Sequence, residues 1–197
     1  LTDIRQLEYP ENSIDEIRSH HLFEHFSRTD AIDLLLKWRR WLKPDGVLRI
    51  ETPDFYRCCR WFIFSNFEER MQLMRHIFGS QEARWAYHLD GWGKQKFKFF
   101  LKKLGFYRIK FKKSPEVLKI FVSYIFRRLE FLRKIFGSDL YEKVSYLRLP
   151  NIEVFAQKAN IETDEGKIRK ELLMFSLVGD EFKKGQMLNV WLRNNKL

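Results

Sequence analysis

The chain has 197 residues, is 45% hydrophobic and 16% aromatic, and includes 19 Phe and 6 Trp. That is enough apolar material for one domain burying roughly 70% of its unfolded surface, and it excludes a disordered chain. No apolar run reaches the length of a membrane span: the longest, Val117 to Phe126, is short and contains Lys119. The net charge of +11 is confined to one stretch, because residues 94–136 hold 14 Lys/Arg against 2 Asp/Glu. Residues 1–93 hold 13 against 15, and residues 137–197 hold 10 against 9. So local an excess points to a partner surface more than to a uniformly basic protein.

The N-terminal residues read as alternating strand and helix. Leu1-Thr2-Asp3-Ile4 has the character of a chain interior, so a longer polypeptide is expected. "PENS" (10–13) marks a turn, and "IDEIRS" (14–19), anchored by Ile14 and Ile17, fits a strand. Ser27 opens S-R-T-D, a capping-box-like start, and Ile32, Leu35, Leu36, Trp38 and Leu42 follow at helical spacing. "KPDG" (43–46) stops that helix, and "VLRIETP" (47–53) is a strand ending at Pro53. Strand, helix and strand joined by short connections form a right-handed βαβ unit of a parallel sheet. Ligands bind beyond the carboxyl ends of such strands, here Ser19-His20-His21 and Glu51-Thr52-Pro53-Asp54.

Residues 54–79 read as helical and aromatic-rich, followed by a Gly/Trp/His loop, "GSQEARWAYHLDGWG" (79–93). "KQKFKFFLKKLGF" (94–106) is a helix stopped by Gly105, and "FYRIKFKK" (106–113) alternates as a strand. Residues 115–136 carry Leu118, Phe121, Ile125, Leu129, Leu132 and Phe136 at helical spacing, the pattern of a long amphipathic helix. "NIEVFAQK" (151–158) is a last strand, and the tail from Thr163 reads as two short helices broken near Gly179. The adjacent pair Cys58 and Cys59 excludes a disulfide framework, has no metal spacing and suits a reducing cytoplasm.

"DIRQLEYPENSIDEIRSHHLFEHF", a helix, then "WLKPDGVLRIETPDF", resembles the second half of a class I S-adenosylmethionine-dependent methyltransferase of the broad type-11 group. "LKKLGF" and "IEVFAQK" match that family's later elements, so the resemblance covers about residues 1–113 and 150–158. It implies an α/β fold: a partial Rossmann-like sheet, mostly parallel with an antiparallel last strand, plus a helical insert and a helical tail. The domain would span 1–158 with the insert at about 114–148, and 159–197 would form the extension. The resemblance also implies S-adenosyl-L-methionine as cofactor, with Asp3 at the adenine amino group and Ile4 against the adenine ring. Ser19 and His20 would face the methionine portion and the methyl group. His21 and His25 would be structural, at the strand-to-helix corner, and Asp15 would support the strand start. Two departures stand out: Asp45 replaces the first glycine of the family's "PGG" turn, and the glycine-rich cofactor loop would lie before Leu1. Without that loop this chain alone is expected to be inactive.

"HLFEH" (21–25) also spells H-x-x-E-H, an inverted zinc-protease signature. That chemistry needs both histidines on one helical face and a third ligand, for which Glu68, Glu69 or Glu82 would serve. A pattern this short occurs often by chance, and in its methyltransferase context no metal is expected. His88, in "WAYHLDGW", is the candidate general base, its imidazole suited to take a proton as a methyl group arrives. The alternative is that His88 and its Trp neighbours only order a lid loop over the binding edge.

The basic stretch has three readings. It is a solvated or packed face, the commonest outcome; a peripheral membrane contact through residues 115–136; or a nucleic-acid surface built on Lys102, Lys103, Lys112 and Lys113. The expectation is methyl transfer to an oxygen or nitrogen of a small-molecule, sugar or lipid-linked glycan acceptor, in the cytoplasm or at the inner membrane face. A non-catalytic interaction module and a nucleic-acid methyltransferase are the rivals.

Overall fold

In the computed structural model the described residues are 3–113 and 149–194. Strand β1 (Ile14–His20) leads through a 3-10 turn (Phe23–His25) into helix α1 (Arg28–Trp41) and strand β2 (Leu42–Pro53). Helices α2 (Phe55–Phe64), α3 (Phe67–Phe78) and α4 (Lys94–Lys103) follow, then β3 (Phe106–Lys113), β4 (Asn151–Lys158), α5 (Glu165–Met174) and α6 (Glu181–Asn194). The long amphipathic helix and insert expected within 114–148 lie outside the described residues.

The four strands lie in the order β1-β2-β4-β3. β1 pairs parallel with β2, and β4 pairs antiparallel with both β2 and β3. Three strands therefore share one direction and the last, inserted between β2 and β3, opposes them, as the expected sheet requires. β4 buries alternate residues, Ile152, Val154, Ala156 and the Lys158 stem, the period-2 signature of a strand with one face on the core. The Lys158 ammonium is satisfied by the Leu42 carbonyl at 2.6 Å and Asn12 Oδ1 at 2.7 Å.

Helix α1 begins where Ser27 Oγ accepts the Asp30 amide at 3.1 Å. It buries Ile32, Leu34, Leu35 and Trp38 completely or nearly so, because the sheet covers one side and α5 the other. Its cations survive burial by finding carbonyls from distant segments. Arg39 donates to the Leu104 and Ile161 carbonyls at 2.6 and 2.7 Å, and Lys37 to the Arg5 and Leu7 carbonyls at 2.8 and 3.3 Å. Leu172, Leu173 and Leu188 bring α5 and α6 into the same apolar core.

Two local expectations change. The helix ends at Trp41, and Leu42 already pairs with Ile14, so "KPDG" bulges out of a strand that resumes at Val47 opposite Glu16. Asp45 takes a φ of +62° in that bulge, a left-handed conformation that a glycine adopts without a Cβ penalty. The helical stretch 54–79 divides at Ser65, because Asn66 Oδ1 accepts the Glu69 amide and the Glu69 carboxylate returns to the Asn66 amide. That reciprocal pair starts a new helix.

The loop 79–93 is anchored. Trp92 is buried against Phe23 and Phe97, each ring centroid 4.8 Å away. Isolated β-bridges join Gly79 to Tyr87 and Asp54 to Trp92. Gly79 is required by its fold: at φ +85°, a Cβ there would stand 2.0 Å from the Ala86 carbonyl oxygen. Among the described residues no helix is long and apolar enough to cross a membrane.

Candidate functional site

Where β1 ends, the backbone turns sharply: His21 has a φ of +47°, and its amide donates to the Glu51 carbonyl at 3.0 Å. A non-glycine residue held there costs of order 1–3 kcal/mol, strain that collects at functional sites. Around this corner the fold gathers all five histidines of the chain: His20, His21, His25, His76 and His88. His20 and His21 come from the β1 end, His25 from the 3-10 turn, His76 from α3 and His88 from the anchored loop.

The first group is built on β1 and β2. His20 Nε2 meets Glu51 Oε2 at 3.1 Å, and the His20 side chain is exposed. His21 Nδ1 lies 3.2 Å from Glu24 Oε1, and the neighbouring carboxylate raises the His21 pKa above the ordinary imidazole value. Asn151, at the start of β4, bridges onward: its Nδ2 lies 3.0 Å from His21 Nε2, and its Oδ1 accepts from His76 Nε2 at 3.0 Å. Burial holds the His76 pKa down.

The second group lies beside it. His25 and His88 meet edge to face with centroids 4.7 Å apart. His25 Nδ1 is 3.0 Å from the Tyr87 carbonyl, and His88 Nδ1 is 3.0 Å from the His76 carbonyl. A carbonyl only accepts, so both Nδ1 atoms carry the proton and both Nε2 atoms keep a lone pair in the neutral ring. Burial is the largest influence on His88 and lowers its pKa, which keeps it neutral near pH 7. Glu24 stands between the groups; it is 2% exposed, and its Oε2 has no hydrogen-bond partner among the described residues.

The residues expected at the cofactor divide between two places. Ser19 and His20 are at the β1 end as anticipated, and Ser19 Oγ is buried with no hydrogen-bond partner among the described residues. Asp3 caps the short turn Ile4–Gln6, and its carboxylate pairs with Arg5, whose nitrogens lie 2.6–3.1 Å away. That guanidinium lowers the Asp3 pKa and also reaches Asp30 at 3.3 Å. Ile4 packs, partly buried, against the main core.

"HLFEH" is not helical across its length, since only Phe23–His25 forms a 3-10 turn. His21 therefore joins the first group and His25 the second, which removes the one-face geometry that a zinc-protease reading needs. Glu51 stands in the strand-end tetrapeptide that the sequence places at the binding edge. Asn151 and His76 were not singled out from sequence; they are brought in by pairing across distant segments.

The family model for a methyltransferase domain matches residues 1–50, which run through β1, α1 and most of β2. Over that segment it agrees with the resemblance to a class I S-adenosylmethionine-dependent methyltransferase. No curated protein matches the sequence. Similar solved structures include a possible exported protein from Bordetella parapertussis, with TM-score 0.48 and 16% identity over 80% of this chain and 43% of that one. A SAM-dependent methyltransferase from Archaeoglobus fulgidus has TM-score 0.42 and 20% identity over 76% of this chain and 61% of that one. The phosphoethanolamine N-methyltransferase 2 of Haemonchus contortus, in complex with S-adenosyl-L-methionine, has TM-score 0.45 and 19% identity over 80% and 36%. The chain thus spans less than two thirds of the length of these structures.

Proposed function

We propose that this chain is the C-terminal part of a class I S-adenosylmethionine-dependent methyltransferase domain that methylates an oxygen or nitrogen of a small-molecule, sugar or lipid-linked glycan acceptor. The carrying observation is the methyltransferase-domain match over residues 1–50, which ends on the two strands whose carboxyl edge gathers the histidine cluster. The residues present suit their half of a cofactor site. Ser19 offers a buried hydroxyl lacking a partner among the described residues, and a ligand polar group beyond β1 would complete it. Asp3 presents a carboxylate already oriented by Arg5, and Ile4 an apolar flank.

The cofactor would supply a sulfonium-bound methyl group. The chain's contribution is to position the acceptor and accept its proton. His88 serves that second role in this reading: its Nδ1 is committed to the His76 carbonyl, so Nε2 is the accepting atom. Exposed Trp85 and Tyr87, in the same loop, provide aromatic faces suited to a sugar ring or an isoprenoid chain.

Hydrogen exchange of the chain extended N-terminally through the glycine-rich loop, with and without S-adenosylhomocysteine, tests the assignment. Protection at residues 3–5 and 17–21 is expected; protection confined to other segments would overturn the site.

A further inference from the structure

We infer that Glu24, His25 and His88 form a binding site for a divalent transition-metal ion of the zinc type. One ligand atom from each of the three lies within 4.8 Å of the others. Four-coordinate zinc, with bonds near 2.0–2.2 Å, places its ligand atoms roughly 3.4 Å apart, so side-chain rotations of about an ångström complete the site.

Three features favour an ion over a chance cluster. In both imidazoles Nδ1–H is held by a backbone carbonyl, of Tyr87 and of His76, the second partner that metal-ligating histidines usually have, and Nε2 is the nitrogen left with a lone pair. Glu24 is almost wholly buried, yet Oε2 has no hydrogen-bond partner among the described residues. A carboxylate oxygen removed from water without a donor is costly, and a cation removes that cost. Its other oxygen, Oε1, remains on His21 Nδ1, so the ligand is itself held from behind.

The backbone ties the two ligand-bearing segments together. The Glu24 carbonyl accepts the Leu89 amide at 2.8 Å, so the 3-10 turn and the His88 loop hold their spacing before an ion arrives. Two imidazoles and a carboxylate are a ligand set found in zinc centres that keep an open position. Half-buried His25 and His88 leave that position accessible from solvent.

The neighbouring trio of His20, His21 and Glu51 is a weaker claimant. Glu51 Oε2 is engaged by His20 and Oε1 by Asn151, so both carboxylate oxygens already have partners. The site also differs from the H-x-x-E-H reading, because His88 replaces His21 as a ligand.

This inference stands apart from the methyltransferase reading, except that coordination and proton acceptance compete for the same nitrogen of His88. Metal content therefore also decides which role that residue has.

The test is titration of the chelator-stripped chain with Co²⁺, followed by displacement with Zn²⁺. One equivalent is expected to give the visible band of four- or five-coordinate cobalt bound by nitrogen and oxygen, and zinc to abolish it. His25→Asn and His88→Asn are each expected to weaken binding by at least about 10–100-fold, a loss already typical of an outer-shell partner. Cys59→Ser is expected to leave it unchanged, with circular dichroism confirming the fold of each variant. A chain that takes up no stoichiometric cobalt overturns the inference. So does binding that survives His88→Asn but is lost in His20→Asn.

Discussion

Glu24 and His21 share a hydrogen bond of 3.2 Å between Oε1 and Nδ1, and through it a buried carboxylate is joined to the exit of the first strand. His21 continues the connection through Asn151 to His76, whose carbonyl holds His88. The strand end, the β4 start, α3 and the anchored loop are thereby joined by one polar path.

The histidines give stability a pH dependence with two separate limbs. The folded pKa of His21 is raised from 6.5, so its contribution is complete below 6.5 and is lost as pH rises through the folded value. His76 and His88 have lowered folded values, so the unfolded chain binds more protons and stability is lost as pH falls below 6.5. Urea unfolding midpoints measured across pH are expected to show the alkaline limb flattened in His21→Gln and the acid limb flattened in His76→Gln. Identical profiles in the variants and the parent would refute the assignment.

Asn151 is the joint of the path. Asn151→Ala leaves the ring nitrogens of His21 and His76 without this partner, and a loss of about 1–3 kcal/mol in unfolding free energy is expected. A loss under 0.5 kcal/mol, on the order of an ordinary surface substitution, would show that the bridge contributes little.

Gly79→Ala forces a Cβ to within 2.0 Å of the Ala86 carbonyl oxygen at a left-handed φ. The expected result is a loss of about 1–3 kcal/mol, with faster hydrogen exchange across residues 79–93. Unchanged exchange there would mean that the loop is not fixed at this point.

Asp45→Gly and Asp45→Ala both remove the carboxylate that accepts from the Tyr107 hydroxyl at 2.5 Å. Only alanine keeps a Cβ at φ +62°, so Asp45→Ala is expected to be the less stable by about 1–2 kcal/mol. Equal stabilities would show that the bulge relaxes.

Much of this architecture was legible because its signals are local. Ser27 announces α1 through its own side chain, "NIEVFAQK" alternates over the length of β4, and Gly105 stops α4 before β3. What escaped was set by partners far along the chain. Nothing near Arg39 indicates that the Leu104 and Ile161 carbonyls will satisfy it, and nothing in "KPDG" shows that pairing starts before it, at Leu42. The site divides in the same way. Ser19 and His20 follow from the end of a strand, whereas His76 and Asn151 reach it only through tertiary packing, and the Arg5 pairing of Asp3 depends on a turn that has no strong sequence signal.

The account rests on the β1 edge being half of a cofactor site, and calorimetric titration with S-adenosylhomocysteine tests this most directly. The ligand is titrated into this chain and into one extended N-terminally through the strand and glycine-rich loop that a class I domain places before this segment. Saturable one-to-one binding by the extended chain, abolished by Ser19→Leu, is the predicted result. Absence of binding in both chains would contradict the methyltransferase reading.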